Sequence, residues 1–228
     1  DTSAHERTTS LNKHIFMYLS RLLLNPRNNG ARADLKSPYN LHRTLMRAFP
    51  DGEPDENRLL FRIEPSRPED KGRRVLVQSS DAEPDLSFLK DSAGGAQPYC
   101  YDWGDPKEVD PTLEDGQQLA FRLLGNPTKK SQGKRIALTE EEQYYEWLDR
   151  KGNLHGFDVL YSHPTPYWIN GDQPDQDTYA KEDIPHFAVR YDGLLTVTDA
   201  SLLRETLAAG VGPAKSFGFG LLTLAPPR

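Results

Sequence analysis

A single cysteine, Cys100, stands among 228 residues. The chain can therefore close no internal disulfide, and it has neither a CxxC redox pair nor cysteine-rich zinc ligation. Histidine is sparse as well, at six. His155, His163 and His186 have Asp158, Asp172 and Asp183 near them in sequence, but no HxxxH or HExxH spacing links them, so no metal site is expected. His5 and His14 fall in a polar leader stretch and carry no role. No apolar run approaches the ~18 residues that a membrane-spanning helix requires. Residues 1–16 mix charged and polar side chains without an apolar core, which argues against a secretory signal and for a disordered extension or an expression remnant. A cytoplasmic protein fits these absences best. The glycine spacings of a dinucleotide fold and of a P-loop are missing too.

Excess positive charge is also lacking, since the formal net charge is −6. That total counts mildly against a free nucleic-acid binder, but the distribution matters more. Acids gather in Asp51–Glu56, Glu64–Asp70, Asp81–Asp115 and Glu140–Glu142. Residues 17–50 hold six cations (Arg21, Arg27, Arg32, Lys36, Arg43, Arg47) against Asp34 alone, a local balance of +5. Pro127–Arg135 carries Lys129, Lys130, Lys134 and Arg135 with no acid. Such a basic hairpin reads either as a solvated turn or as a protrusion aimed at phosphates.

Two segments concentrate the chemistry. Gly210-Val-Gly212-Pro-Ala-Lys215-Ser216-Phe-Gly218-Phe-Gly220 runs into an apolar terminal strand. Glycines permit positive φ and close backbone approach, so the loop could present N–H groups and Lys215 to a phosphodiester; it reads equally as a turn that lets the strand pack. The second segment is Ser37-Pro38-Tyr39-Asn-Leu-His42-Arg43, continuing to Phe49-Pro50. Ser37 suits an N-cap, Pro38 the first helical position, and Pro50 forbids continuation. Leu41, Leu45, Ala48 and Phe49 form one stripe, with Tyr39 and His42 three apart on its shoulder. A partly buried histidine beside a packing tyrosine is the alternative reading.

Taken in order, these motifs resemble the CasE-type CRISPR-associated endoribonucleases. The resemblance runs from Met17 to Pro226. It is carried by the opening strand Met17-Tyr-Leu-Ser-Arg21-Leu, the motif Tyr39-x-x-His42 ending in Phe49-Pro50, Phe121-Arg-Leu-x-x-Asn126-Pro127-x-Lys129 with Gly133-Lys134-Arg135, and the glycine-rich close. It implies metal-independent cleavage of precursor CRISPR RNA at the base of a repeat stem-loop, with no cofactor. His42 would be the catalytic acid/base and Tyr39 its neighbour in the site. Product ends would be a 2′,3′-cyclic phosphate and a 5′-hydroxyl. It further implies retention of the product hairpin and membership of the type I-E Cascade complex, with no membrane partner. Charge and position assign Lys129, Lys130, Lys134 and Arg135 to the RNA stem, and Gly212, Lys215, Ser216 and Arg43 to phosphate. Two other readings stay open, a non-catalytic RNA-binding scaffold and a protein-interaction module with an acidic surface.

The strand and helix patterns repeat. Strand Met17–Asn25, helix Pro38–Phe49, strands Arg58–Glu64 and Arg73–Gln78, a short helix Asp85–Lys90 and extended Gln97–Trp103 give β-α-β-β-α-β. A second set follows: strand Gln117–Leu124, a Thr139-capped helix stopped by Gly152, strands Phe157–Ser162 and Pro185–Tyr191, an Asp199-capped helix Ala200–Ala208, and strand Leu221–Ala225. Between its middle strands lies the aspartate-rich stretch Asn170–Asp183, expected to be mobile. The expected fold is α+β, two tandem ferredoxin-like domains at 17–108 and 109–228.

Overall fold

The computed structural model describes residues 16–49, 58–90, 97–169 and 185–227. The Asn170–Asp183 stretch, Pro50 and residues 1–15 lie outside them. The first half comprises β1 (Met17–Leu24), α1 (Asn29–Lys36), α2 (Pro38–Met46), β2 (Arg58–Ile63), β3 (Arg73–Ser80), a 3₁₀ turn (Ser87–Lys90), β4 (Cys100–Asp102) and β5 (Lys107–Val109). The second comprises β6 (Gln118–Gly125), β7 (Thr128–Ser131), β8 (Lys134–Ala137), α3 (Glu141–Leu154), β9 (Phe157–Ile169), β10 (His186–Val197), α4 (Ala200–Ala209), a 3₁₀ turn (Lys215–Phe217) and β11 (Leu222–Ala225).

Both halves have ferredoxin-like strand order. The first sheet runs β2-β3-β1-β4, with β5 also paired to β1; the second runs β11-β6-β10-β9. In each, the first strand of the repeat lies between the third and the fourth, as two crossovers on one face require. In the second crossover of the first half the described residues hold a 3₁₀ turn, Ser87–Lys90, where a helix was expected to span Asp85–Lys90.

Alternation along the strands sets two cores. Leu22, Leu24, Phe61, Val75 and Val77 meet Ala31 of α1 and Leu41 and Leu45 of α2. Phe121, Leu123, Val189 and Tyr191 meet Trp147 and Leu148 of α3 and Leu203 and Leu207 of α4. The other face of the first sheet meets the second half through polar ties. Gln78 Nε2 donates to Leu207 O at 2.7 Å and Ser80 Oγ to Ala208 O at 3.1 Å, which satisfies carbonyls that the end of α4 leaves open. Arg62, 3% exposed, donates to Leu221 O at 2.9 Å, Arg122 O at 3.2 Å, Thr223 Oγ1 at 3.0 Å and Glu64 Oε1 at 2.8 Å. A guanidinium this deep keeps its charge because every side of its fork has an acceptor.

Several boundaries differ from the sequence reading. Helix α1 has no counterpart in the expected element order; the Asn28 side chain accepts from Ala31 N and starts it. Thr139 is not the cap of α3: Glu140 holds that position. Gly152 does not stop α3, which continues to Leu154. A Cβ at Gly152 would stand 2.4 Å from Phe157 O, so this glycine lets α3 lie against β9. Strand β9 runs past Pro164 and Pro166 to Ile169 because it is an edge strand, where a missing ladder donor costs little.

Candidate active site

Helix α2 follows α1 after one residue. Ser37 N–H closes α1 on Ala33 O and Asp34 O, and Pro38 starts α2. The Ser37 hydroxyl makes no cap bond, contrary to its expected role, and is buried without a partner. Leu41, Leu45, Ala48 and Phe49 are all buried, as their stripe predicted, which sets Tyr39 and His42 half-buried at its edge.

Each of the two side chains rests on an aromatic ring from a different element. The His42 ring lies nearly parallel to Phe61 of β2, with centroids 6.3 Å apart and planes at 16°. Its Nδ1 is buried with no hydrogen-bond partner among the described residues, and the ring as a whole is half-buried. Burial pushes the imidazole pKa below its ordinary 6.5, which favours the neutral ring. Tyr39 packs on Phe217 with centroids 5.4 Å apart, and Phe217 in turn packs on His186 at 4.2 Å.

The glycine-rich loop thus meets α2. Ala214 takes a left-handed conformation (φ 60°) and is followed by the single turn Lys215–Phe217 and by Gly218 (φ 85°). A Cβ at Gly218 would come within 3.1 Å of the Phe61 ring that carries His42. At Gly212 (φ 81°) it would come within 3.0 Å of Trp147. The room freed by these glycines is filled by protein, so their absent side chains serve packing. Lys215 and Ser216 are half-buried in the turn beside Phe217. Arg43 is exposed next to His42 on α2.

The four hairpin cations stand elsewhere. Strands β7 and β8 form a separate two-stranded sheet pairing Lys130 with Arg135 and Ser131 with Lys134. Gln132 (φ 49°) and Gly133 (φ 78°) make the tight turn whose double positive φ matches strand twist. Lys129, Lys130, Lys134 and Arg135 are all exposed. Arg135 approaches Lys151 of α3, whose pKa falls through burial and through Arg150 and Arg135. Lys151 Nζ lies 5.8 Å from the Trp147 ring.

Of the remaining histidines, His155 caps the end of α3 and its Nδ1 lies 3.1 Å from Thr206 Oγ1, and His163 lies opposite Asp192. Among the described residues no group of three or more His, Cys, Asp or Glu is placed to hold a metal ion. None of the described helices is long and apolar enough to cross a membrane. The sequence reading missed Phe61, Phe217 and His186 as the walls of the site; Phe61 meets His42 within the first half, and Phe217 reaches Tyr39 only by contact across the two halves.

The pattern described as CRISPR associated protein matches residues 17–226. The chain belongs to the CRISPR-associated protein family. Within it, the chain is 39% identical to the CRISPR-associated endoribonuclease Cse3 of Thermus thermophilus over 224 residues, covering 92% of this chain and 100% of that one. It is 32% identical to the Cascade subunit CasE of Escherichia coli over 228 residues, with 92% and 100% covered. Its fold is similar to Thermus thermophilus Cse3 bound to an RNA representing a pre-cleavage complex, with TM-score 0.80, 35% identity, and 92% of this chain and 99% of that chain covered. The family range takes in α2, the hairpin and the glycine-rich loop together.

Proposed function

We propose that this chain is a metal-independent endoribonuclease that cuts precursor CRISPR RNA at the base of the repeat stem-loop. The observation that carries this reading is the meeting of Tyr39 and His42 with the glycine-rich loop, in a chain that matches an endoribonuclease and an RNA-bound structure along nearly its whole length.

The 2′-hydroxyl attacks the adjacent phosphorus, the P–O5′ bond breaks, and the products are a 2′,3′-cyclic phosphate and a 5′-hydroxyl. One group must take the 2′-hydroxyl proton and one must protonate the leaving O5′. His42, whose burial favours the neutral imidazole, serves proton transfer. Tyr39 donates a hydrogen bond that orients the ribose or phosphate. The Gly212 and Ser216 backbone amides, Lys215 and Arg43 stabilise charge on the phosphate. Lys129, Lys130, Lys134 and Arg135 hold the stem, whose A-form groove a narrow hairpin can enter. Residues 17–108 act as the catalytic-helix domain and 109–228 as the domain of hairpin and loop. The product hairpin stays bound, and the protein joins the other type I-E Cascade subunits in the cytoplasm.

The test is cleavage of a repeat stem-loop in EDTA, with ribose or 2′-deoxyribose at the nucleophile. Cleavage of the ribose substrate alone, with cyclic phosphate ends, is the expected result. Cleavage of both, or neither, would overturn it, and tight binding without cleavage would identify a scaffold.

A further inference from the structure

The helix-free faces of the two sheets flank a half-open cavity lined by arginine. Because Leu22, Phe61 and Val75 point into the first core, Arg21, Arg62 and Arg74 point the opposite way. Because Phe121, Leu123, Val189 and Tyr191 point into the second core, Arg122, Arg190 and Asp192 face the first sheet. Between them lies a space of about 420 Å³ lined by Arg21, Glu64, Arg67, Arg74, Arg122 and Arg190, among others. Its size is that of small-ligand sites, roughly 300–1,000 Å³.

Cations outnumber anions there. Asp70 pairs with Arg74, Glu64 with Arg122, and Asp192 with both Arg122 and Arg190. With Arg62, which shares Glu64, six arginines stand against these three acids, leaving +3. Arg21 and Arg67 pair with no carboxylate among the described residues, and Arg74 Nε is buried without a partner. Planar guanidinium forks with donors to spare suit phosphate oxygens. An aromatic ring stands on the same face: Tyr167, 40% exposed, is paired with Ala188, two residues before Arg190, whose own partner is Thr165. Guanidiniums along a groove with an accessible ring form a platform for single-stranded nucleic acid.

The cavity is near the reaction site. His186, Ala188 and Arg190 lie successively on one face of β10. His186 touches Phe217, which touches Tyr39. From His186 to Arg190 is four residues of strand, about 13 Å at ~3.3 Å per residue.

We propose that this arginine-lined cavity is a second RNA site, which grips phosphates of a single-stranded segment flanking the stem-loop while Tyr167 stacks on a base. The RNA class rests on the function proposed above; the site itself is separate from α2 and the hairpin.

The experiment measures anisotropy of labelled RNA with the full chain and with Arg21→Gln/Arg67→Gln, two exposed residues whose change removes no ion pair among the described residues. The probes are the bare repeat stem-loop and the same stem-loop with a single-stranded extension. For the extended RNA, the variant is expected to bind about tenfold more weakly and to lose about 1.4 from its log–log salt slope, two phosphates at ~0.7 each. Tyr167→Ala is expected to weaken the same RNA by at least about fivefold, as loss of one stacked base would. Affinity for the bare stem-loop and melting temperature should stay at wild-type values. Unchanged affinity and slope for the extended RNA would overturn the proposal and leave the arginines to an acidic protein surface. Equal loss on the bare stem-loop would also overturn it, because the arginines would then belong to the stem site. Arginine-dependent binding of the extension without any stem-loop cleavage by the wild type would instead sink the nuclease reading and keep this site.

Discussion

His42 is half-buried on a phenyl ring, and that environment sets its protonation. Burial lowers its pKa from 6.5, so the neutral base persists to lower pH than for a free imidazole. For cleavage under subsaturating conditions, the second-order rate should rise with pH and level off, with the midpoint below 6.5. A midpoint above that value would show that another group supplies the base. The packing of Tyr39 on Phe217 has a matching consequence: Phe217→Ala should slow cleavage about tenfold while Phe217→Leu retains most of it, as single-turnover assays would show. Arg62 makes a contribution of another kind, since its fork ties β2 to β6 and β11. Arg62→Met should destabilise the protein by about 3 kcal/mol in urea unfolding, because Glu64 loses a partner and two carbonyls, Arg122 O and Leu221 O, lose a donor.

At the scale of elements, the most direct check is Gly152. Alanine is the better helix former by ~1 kcal/mol, so propensity alone predicts that Gly152→Ala stabilises α3. The 2.4 Å approach to Phe157 O predicts the reverse, a lower melting temperature and a cost of about 1–3 kcal/mol. Gly152 also illustrates what the sequence could and could not tell. Strands with clear alternation, the Pro38 start and the Asp199 cap were legible because their signals are local. A glycine looks like a helix stop whether it ends a helix or admits a neighbouring strand, and Pro164 and Pro166 look like breaks unless the strand is known to be an edge. The site divides the same way. Tyr39, His42 and the loop lysine stand out as residue types in a pattern, whereas Phe61 looks like any core aromatic until β2 packs on α2, and Phe217 until the halves come together. Arg62 had a signal, a lone arginine inside the apolar run Leu59-Leu-Phe-Arg62-Ile, but its meaning depended on β11, some 160 residues away.

For the whole molecule, stability is linked to pH through burial. His42, His155 and His186 all have pKa values lowered by desolvation, so below 6.5 the unfolded chain binds more protons than the folded one. Stability must then fall as pH drops from 6.5 through the lower folded values. Melting temperature should decline on acidification over that window, and His186→Gln should flatten the decline; an unchanged slope would show that His186 titrates alike in both states. The polar ties between sheets anchor the two segments that flank the glycine-rich loop, the end of α4 and the start of β11. One site built from both halves, with His42 as its proton-transfer group, is the central claim. Single-turnover cleavage of saturating repeat stem-loop RNA in EDTA by wild type and His42→Ala tests it most directly. A loss of about 10²–10⁴ in rate with RNA affinity within a few-fold is the predicted result. Cleavage by His42→Ala at the wild-type rate would contradict it.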